Sequence, residues 1–305
     1  MLNFQDGALP SQEVIELLLL CFCSSISAGD YTEDEPSTRY FSAHSSPGLH
    51  AQTALLYLSN GKARGIATGD KTLKVIVTGA SGGIGRGIAT VLAGSGCTVG
   101  ALARSGDKLE SLRDEISAAG GTCHTSTVDL RSADETAAGI SALAKALGGV
   151  DALINNAGLV ILKSALELEL EEWHAMVETN LNGLFYATRA VLPGMIENGS
   201  GHIVNISSIS GYFPLGGGSG YAATKYAVTG FSESLFQEVR EHGIKVTTVF
   251  PGSVDSDSHR HQGDDGSWKV KPEEVGKAIL DLLNTDAGNC ISRLEIRPLS
   301  RPPKP

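Results

Sequence analysis

Tyr221 and Lys225 stand four residues apart in Tyr221-Ala222-Ala223-Thr224-Lys225. Thirteen residues before Tyr221, Ser208 closes the run His202-Ile203-Val204-Asn205-Ile206-Ser207-Ser208. If a helix begins near Tyr221, Lys225 lies one turn on, and the phenol and the ammonium share a face. A free phenol, with a pKa of about 10, is a poor acid–base catalyst at neutral pH. A neighbouring ammonium stabilises the phenolate and is expected to lower that value. Such a phenol can donate or accept the proton that accompanies hydride transfer at a carbonyl, while Ser208 holds the same oxygen. A tyrosine–lysine pair at this spacing is common in helices and alone carries no function. Its weight comes from the strand-end serine and from a phosphate-type turn in the same domain.

That turn lies in Lys74-Val75-Ile76-Val77-Thr78-Gly79-Ala80-Ser81-Gly82-Gly83-Ile84-Gly85, read as a buried strand, a glycine-rich turn and a helix from Gly83. The glycines follow G-x-x-x-G-x-G (Gly79, Gly83, Gly85), not the common dinucleotide spacing G-x-G-x-x-G. A tight strand–helix turn needs glycine with or without a ligand. A helix start nevertheless offers unpaired N–H groups and the positive end of a dipole, which suit a pyrophosphate. The second strand ends Ala101-Leu102-Ala103-Arg104-Ser105, without the acidic residue that holds an NAD ribose. A guanidinium pairs with a 2′-phosphate where a carboxylate repels it, so NADP(H) is expected over NAD(H). The alternative is a solvated surface arginine. Asp129 either accepts from an adenine amino group or caps the helix near Ser132–Asp134. The amides of Asn155-Asn156-Ala157-Gly158 either brace neighbouring strands or line the pocket.

The elements that must position these groups alternate along the chain. Strands are expected at 74–77, 98–103, 122–128, 152–155, 202–206, 245–249 and 294–296. Helices are expected at 83–94, 108–119, 133–147, 169–197, 221–242 and 273–283. Apolar strands without polar alternation, separated by helices, indicate a parallel sheet covered on both faces. In such sheets ligands bind beyond the carboxyl ends of the strands, at the switch point. Each polar motif above falls there.

Composition bounds the rest. The 305-residue chain is 41% hydrophobic, enough for a sizeable core. With 24 Lys and Arg against 34 Asp and Glu, nucleic acid and anionic membrane are disfavoured as partners. Five cysteines at irregular spacing form neither a disulfide framework nor a zinc set, and no metal is expected. Residues 1–71 read as a separate extension, disordered or a gene-model artefact, with one short helix at most around Val14–Cys23. Its run Leu17–Cys23 is too short to span a bilayer, and acidic residues without Lys or Arg precede it, so a cytoplasmic location is expected. Residues 72–298 form the catalytic domain, and 299–305 a loose proline-rich tail.

Taken together and in this order, Thr78–Gly85, Asn155–Gly158, Ser208, Tyr221–Lys225 and Pro251-Gly252 resemble the short-chain dehydrogenase/reductase family over about 74–298. The resemblance implies an α/β, three-layer, doubly wound Rossmann-type fold with a seven-stranded parallel sheet, and hydride transfer to or from a nicotinamide. It implies a catalytic set of Asn180, Ser208, Tyr221 and Lys225. Ser208 orients the substrate and Tyr221 is the acid/base. Lys225 also holds the nicotinamide ribose, and Asn180 anchors a water through its backbone. Cofactor contacts implied by the likeness are Gly79, Ser81, Gly83, Ile84, Gly85, Arg104, Ser105, Asp129, Asn156, Ala157, Gly158, Tyr221 and Lys225. The turn Pro251, Gly252 and Val254, with Ser256 where the family often has threonine, completes the set.

The connection from Pro251 to Pro272 is polar, which points to a small or polar carbonyl substrate. His259 and His261 within it read as solvated rather than as metal ligands. The leading activity is that of an NADP(H)-dependent carbonyl reductase or alcohol dehydrogenase. Alternatives are a 3-oxoacyl thioester reductase and a non-catalytic dinucleotide sensor or scaffold. A homodimer or homotetramer is expected by family likeness. Leu184, Phe185, Val228 and Phe231 are placed either at a subunit interface or on the sheet.

Overall fold

The computed structural model describes residues 72–256 and 266–300. His259 and His261, the extension and the last five residues lie outside them. Seven strands, β1 (Lys74–Thr78), β2 (Thr98–Ala103), β3 (Thr122–Thr127), β4 (Ala152–Asn155), β5 (Gly201–Ile206), β6 (Ile244–Pro251) and β7 (Arg293–Ile296), form one sheet. Its order is β3-β2-β1-β4-β5-β6-β7 and every pairing is parallel. The order reverses between β1 and β4, and that switch point opens a crevice at their carboxyl ends.

Seven α-helices cover the sheet: α1 (Gly83–Gly94), α2 (Gly106–Ala118), α3 (Ala133–Leu147), α4 (Leu170–Val177), α5 (Gly183–Asn198), α6 (Ser219–Val239) and α7 (Pro272–Leu283). Successive strand residues point to opposite faces, so β1 sends Val75 and Val77 to one core and Ile76 to the other. The first core is completed by Ile88 and Leu92 of α1, Leu109 and Leu112 of α2, and Val275 and Ile279 of α7. The second takes Ile140 and Leu143 of α3, Val191 and Met195 of α5, and Leu235 of α6. Helices α1 and α7 meet almost backbone to backbone. A Cβ on Gly87 would stand 2.5 Å from Pro272 Cβ, so only glycine permits this approach.

The fold matches the expected elements, with one correction. The single helix expected over 169–197 is interrupted by a π-helical turn at Glu178–Asn182. Such wide turns occur at functional sites, and this one buries Asn180 to 1% exposure. Of the two placements left open, Leu184 and Val228 take the inner one, buried within the subunit, and Phe231 packs against the second core. Only Phe185 of those four remains exposed, edge-on to Phe231.

His202 of β5 is buried, and its Nε2 lies 2.8 Å from Thr247 Oγ1. Thr247 already donates its proton to the Ile291 carbonyl, so the imidazole must be the donor. Burial, with a smaller push from Lys245, lowers the pKa of His202 to about 4. The unfolded chain therefore binds a proton that the folded chain refuses between pH 6.5 and 4. Stability is present above pH 6.5 and lost as pH falls through that interval, on the order of 3 kcal/mol. Replacing His202 by Gln keeps a donor without a titration. Urea midpoints measured from pH 7 to 4 should fall less steeply in H202Q than in the parent, and parallel curves would refute this account.

Candidate active site

The glycine turn is held by the residue before it. Thr78 Oγ1 accepts from the backbone N–H groups of Asn156 (3.0 Å) and Ala157 (3.1 Å), and donates to the Ile154 carbonyl. Asn156 Nδ2 returns a hydrogen bond to the Thr78 carbonyl at 3.0 Å. The ends of β1 and β4 are thus stitched together, and Asn156 both braces the strands and lines the cleft. Gly79 has φ +67°, and a Cβ on it would lie 2.7 Å from Ala157 Cα. Gly85 sits beneath the turn, where a Cβ would be 2.3 Å from the Gly79 carbonyl oxygen; it shapes the cradle without lining it. Helix α1, with Gly82 at its N-cap, has no side-chain cap and no acidic residue in its first turn, leaving its N–H groups for an anion.

A cleft of about 360 Å³ runs from this turn to the tyrosine. Its walls include Gly79, Ser81, Gly83, Ile84, Arg104, Ser105, Asp129, Asn156, Ala157, Gly158, Tyr221, Lys225 and Ser256. Pro251, Gly252 and Val254 are not among its walls. Gly252 N–H instead bonds the Ile296 carbonyl, and Val254 bridges to Val270. Ser256 leans on the turn, its Cβ 3.2 Å from where a Cβ of Gly83 would stand. Asp129 does not cap α3, because Ser132 does, accepting from Glu135 N–H. Its carboxylate is gripped by Arg131 at 2.6 Å, a hydrogen bond that holds its pKa below the usual carboxylate range. Arg104 is exposed and makes no hydrogen bond or ion pair among the described residues. Sequence reasoning missed Lys108, which lines the cleft beside it; its position in the first turn of α2 was the available signal.

At the other end, Lys225 Nζ is buried and donates to the Ile206 carbonyl at 2.8 Å, 5.9 Å from the centre of the Tyr221 ring. Ser207, just after β5, ties α6 to the strand by donating to the Lys225 carbonyl at 3.0 Å. The Ser208 hydroxyl lies near enough to Tyr221 to act on its phenol, and its Oγ accepts from Ser210 N–H. Asn180 Oδ1 accepts from Leu159 N–H at 2.6 Å, while its Nδ2 donates to the Leu159 carbonyl and to Thr224 Oγ1. The π turn thereby pins the β4 exit to the second turn of α6. A Cβ on Gly158 would lie 3.6 Å from Asn180 Oδ1 and 3.7 Å from Lys225 Nζ, so the three residues meet at one point. All four expected catalytic side chains are therefore gathered around that end.

The protonation states depart from expectation. The Tyr221 phenol is not lowered by the ammonium. Burial pushes it above its ordinary value, and the Ser208 hydrogen bond opposes that only in part. Burial also pulls Lys225 down to about 8. A desolvated ammonium 5.9 Å away does less than the loss of water does to both groups.

A parallel sheet with an anion cradle at its switch point defines a Rossmann-type α/β protein. The chain belongs to the short-chain dehydrogenase family, a family of oxidoreductases. The family model described as short chain dehydrogenase matches residues 73–266. An NADP-dependent 3-hydroxy acid dehydrogenase, YdfG, of Escherichia coli is 34% identical over 239 residues, 74% of this chain and 95% of its own. The closed form of a serine dehydrogenase complexed with NADP+ superposes with TM-score 0.69 at 34% identity, over 75% of this chain and 96% of its own. An alcohol dehydrogenase from the archaeon Thermococcus sibiricus, complexed with 5-hydroxy-NADP, gives TM-score 0.71 at 27% identity, covering 77% and 100%. No helix among the described residues is long and apolar enough to cross a membrane. Among the same residues no group of three or more His, Cys, Asp or Glu could hold a metal.

A lysine lowered from 10.5 to about 8 is protonated in the unfolded chain and neutral in the folded one between those values. Stability from this group therefore rises with pH across that window, on the order of 3 kcal/mol. The parent minus Lys225→Met difference in unfolding free energy should grow by that order from pH 8 to 10.5. The subtraction removes the thiols Cys97 and Cys123, which burial raises to about 11 and which act in the opposite sense above pH 9. Denaturant titration at four pH values measures it, and a flat difference would contradict a buried ammonium.

Proposed function

We propose that the protein transfers a hydride between NADP(H) and a carbonyl or alcohol, with Tyr221 as its acid/base. The observation that supports this best is the single cleft joining the glycine turn, Arg104 and Lys108 to Tyr221 and Lys225. The residues present fit the dinucleotide: an uncapped helix start, a turn whose Cβ positions are closed to side chains, and two cations at the end of β2. When bound, the dinucleotide supplies or accepts the hydride. The rest falls to the chain. Ser208 Oγ accepts from Ser210 N–H, and its hydroxyl, which faces the Tyr221 phenol, turns its proton to a carbonyl oxygen when one enters. The Tyr221 hydroxyl gives a proton to the same oxygen in reduction and takes it back in oxidation.

Lys225 fixes one N–H on Ile206 and turns its remaining donors and its charge towards the cleft beside the forming phenolate. Asn180 positions rather than reacts, holding Leu159 and Thr224 around Tyr221. Arg104 and Lys108 supply the charge for a 2′-phosphate, in keeping with the NADP complexes of the similar structures.

Tyr221→Phe should lower kcat for NADPH-dependent carbonyl reduction by about 10²-fold or more. NADPH binding, followed by its fluorescence, should change less than about threefold, a difference worth under 1 kcal/mol. Retained turnover would dismiss Tyr221 as the acid/base. Arg104→Ala should weaken NADPH by about tenfold or more through loss of a charge-assisted contact, and NADH far less. Equal weakening of the two dinucleotides would remove the 2′-phosphate assignment.

A further inference from the structure

Beside Tyr221, apolar side chains from two segments distant in sequence converge on the start of α6. A Cβ on Gly218 would stand 3.1 Å from Leu162 Cδ2 and 2.6 Å from Leu215 Cδ2, so both leucines converge there. A Cβ on Gly220, the residue before Tyr221, would meet Leu168 Cδ2 at 2.5 Å and the Trp173 ring at 3.5 Å. Val160, two residues before Leu162, lines the cleft itself. Leu162 and Trp173 stay 45% and 38% exposed, and Phe213 of the same loop as Leu215 is 61% exposed. Half of the strongly exposed large apolar side chains among the described residues fall within 162–173 or at 213. Scattered singly they would mean nothing; Leu162, Leu168, Trp173 and Leu215, gathered on the two glycines that flank Ser219 just before Tyr221, can form a recognition surface.

The charges beside this surface oppose a carboxylate. Glu167, Glu169, Glu171 and Glu172 crowd the start of α4. Among the described residues the cations beside these segments are engaged: Lys163 with Glu172 at 2.6 Å, and Arg297 with Glu295 and the Tyr212 hydroxyl. Resting on the hydride-transfer reading, we infer that the substrate is a neutral carbonyl or secondary alcohol carrying an apolar alkyl or aryl group. That group packs on Leu162, Leu168, Trp173 and Leu215. The small or polar substrate expected from the 251–272 connection weighed one segment alone, and the apolar wall comes from two others. The specificity also differs from the 3-hydroxy acid and the serine in the names of the similar proteins.

A matched pair separates charge from shape: 3-hydroxy-3-phenylpropanoate and its ethyl ester, oxidised by the full chain with NADP+. The C3–H bond breaks, its electron pair goes with hydrogen to NADP+, and the hydroxyl proton passes to Tyr221 and then solvent, giving ketone, NADPH and H+. The kcat/KM for the ester should exceed that for the acid by tenfold or more. Leu162→Ser and Leu215→Ser should each shrink that ratio severalfold. Preference for the acid, for L-serine or for 3-hydroxybutanoate, or a ratio unmoved by both substitutions, overturns the inference while leaving hydride transfer standing. If no alcohol is oxidised, the ester is titrated into the NADP+-saturated Trp268→Phe protein and the emission of Trp173 is followed. A saturable blue shift with the ester and none with the acid upholds the apolar wall although the hydride-transfer reading has failed. A flat response to the ester overturns it.

Discussion

An ammonium taken out of water is costly unless its protons are met, and the architecture around Lys225 meets one of them within the fold and leaves the others to the cleft. The carbonyl that receives it belongs to Ile206, the last residue of a strand buried along its whole length. That carbonyl is available because β5 ends there and the chain turns away. Ser207 then bonds the Lys225 carbonyl, and Thr229 adds its hydroxyl to the same cluster. The start of α6 is consequently fixed against the sheet by polar contacts, and Tyr221 one turn earlier inherits that precision.

The interior polar groups extend this frame. Asn155 Nδ2 bonds Thr188 and Asn205, and Asn205 bonds Ser232, all at 2.9 Å. This ladder crosses β4 and β5 and reaches α5 and α6, so the helices that flank the cleft are registered by hydrogen bonds rather than by packing alone. The dinucleotide end is built differently. There the backbone itself forms the surface, and glycine is used because side chains would fill the space between β1 and β4. One end of the cleft is thus specified by side-chain chemistry and the other by its absence.

Much of this was legible in the chain. The central strands β1, β4 and β5 are mostly apolar because both their faces are covered, while the edge strands β3 and β7 are polar and part-exposed. The central strands end at or beside Thr78, Asn155 and Ser207, where polar residues interrupt the apolar runs. The Tyr221–Lys225 face followed from helical geometry alone. What escaped depended on distant neighbours. Glu178–Asn182 contains nothing that forbids an α-helix, so its π geometry arises from Asn180 reaching across to Leu159 and Thr224. The direction of the Tyr221 shift reversed because burial, a property of the assembled fold, outweighs a charge that is close in sequence. Lys108 joins Arg104 only once α2 is placed at the end of β2. Asp129 lost its capping role to Ser132, a choice settled by loop geometry.

The close seating of α1 on α7 bears on the order in which the molecule can be made. Helix α1 is the second element of the described chain and α7 the second from last, yet Ile88 and Leu92 share a core with Val275 and Ile279. Contacts of such wide sequence separation form late, because the intervening chain must first surrender its freedom. On a ribosome the glycine turn and its helix emerge with Val275 and Ile279 still unsynthesised. The cradle for the dinucleotide is therefore encoded near the start of the domain but becomes rigid only when nearly all of that domain has been translated.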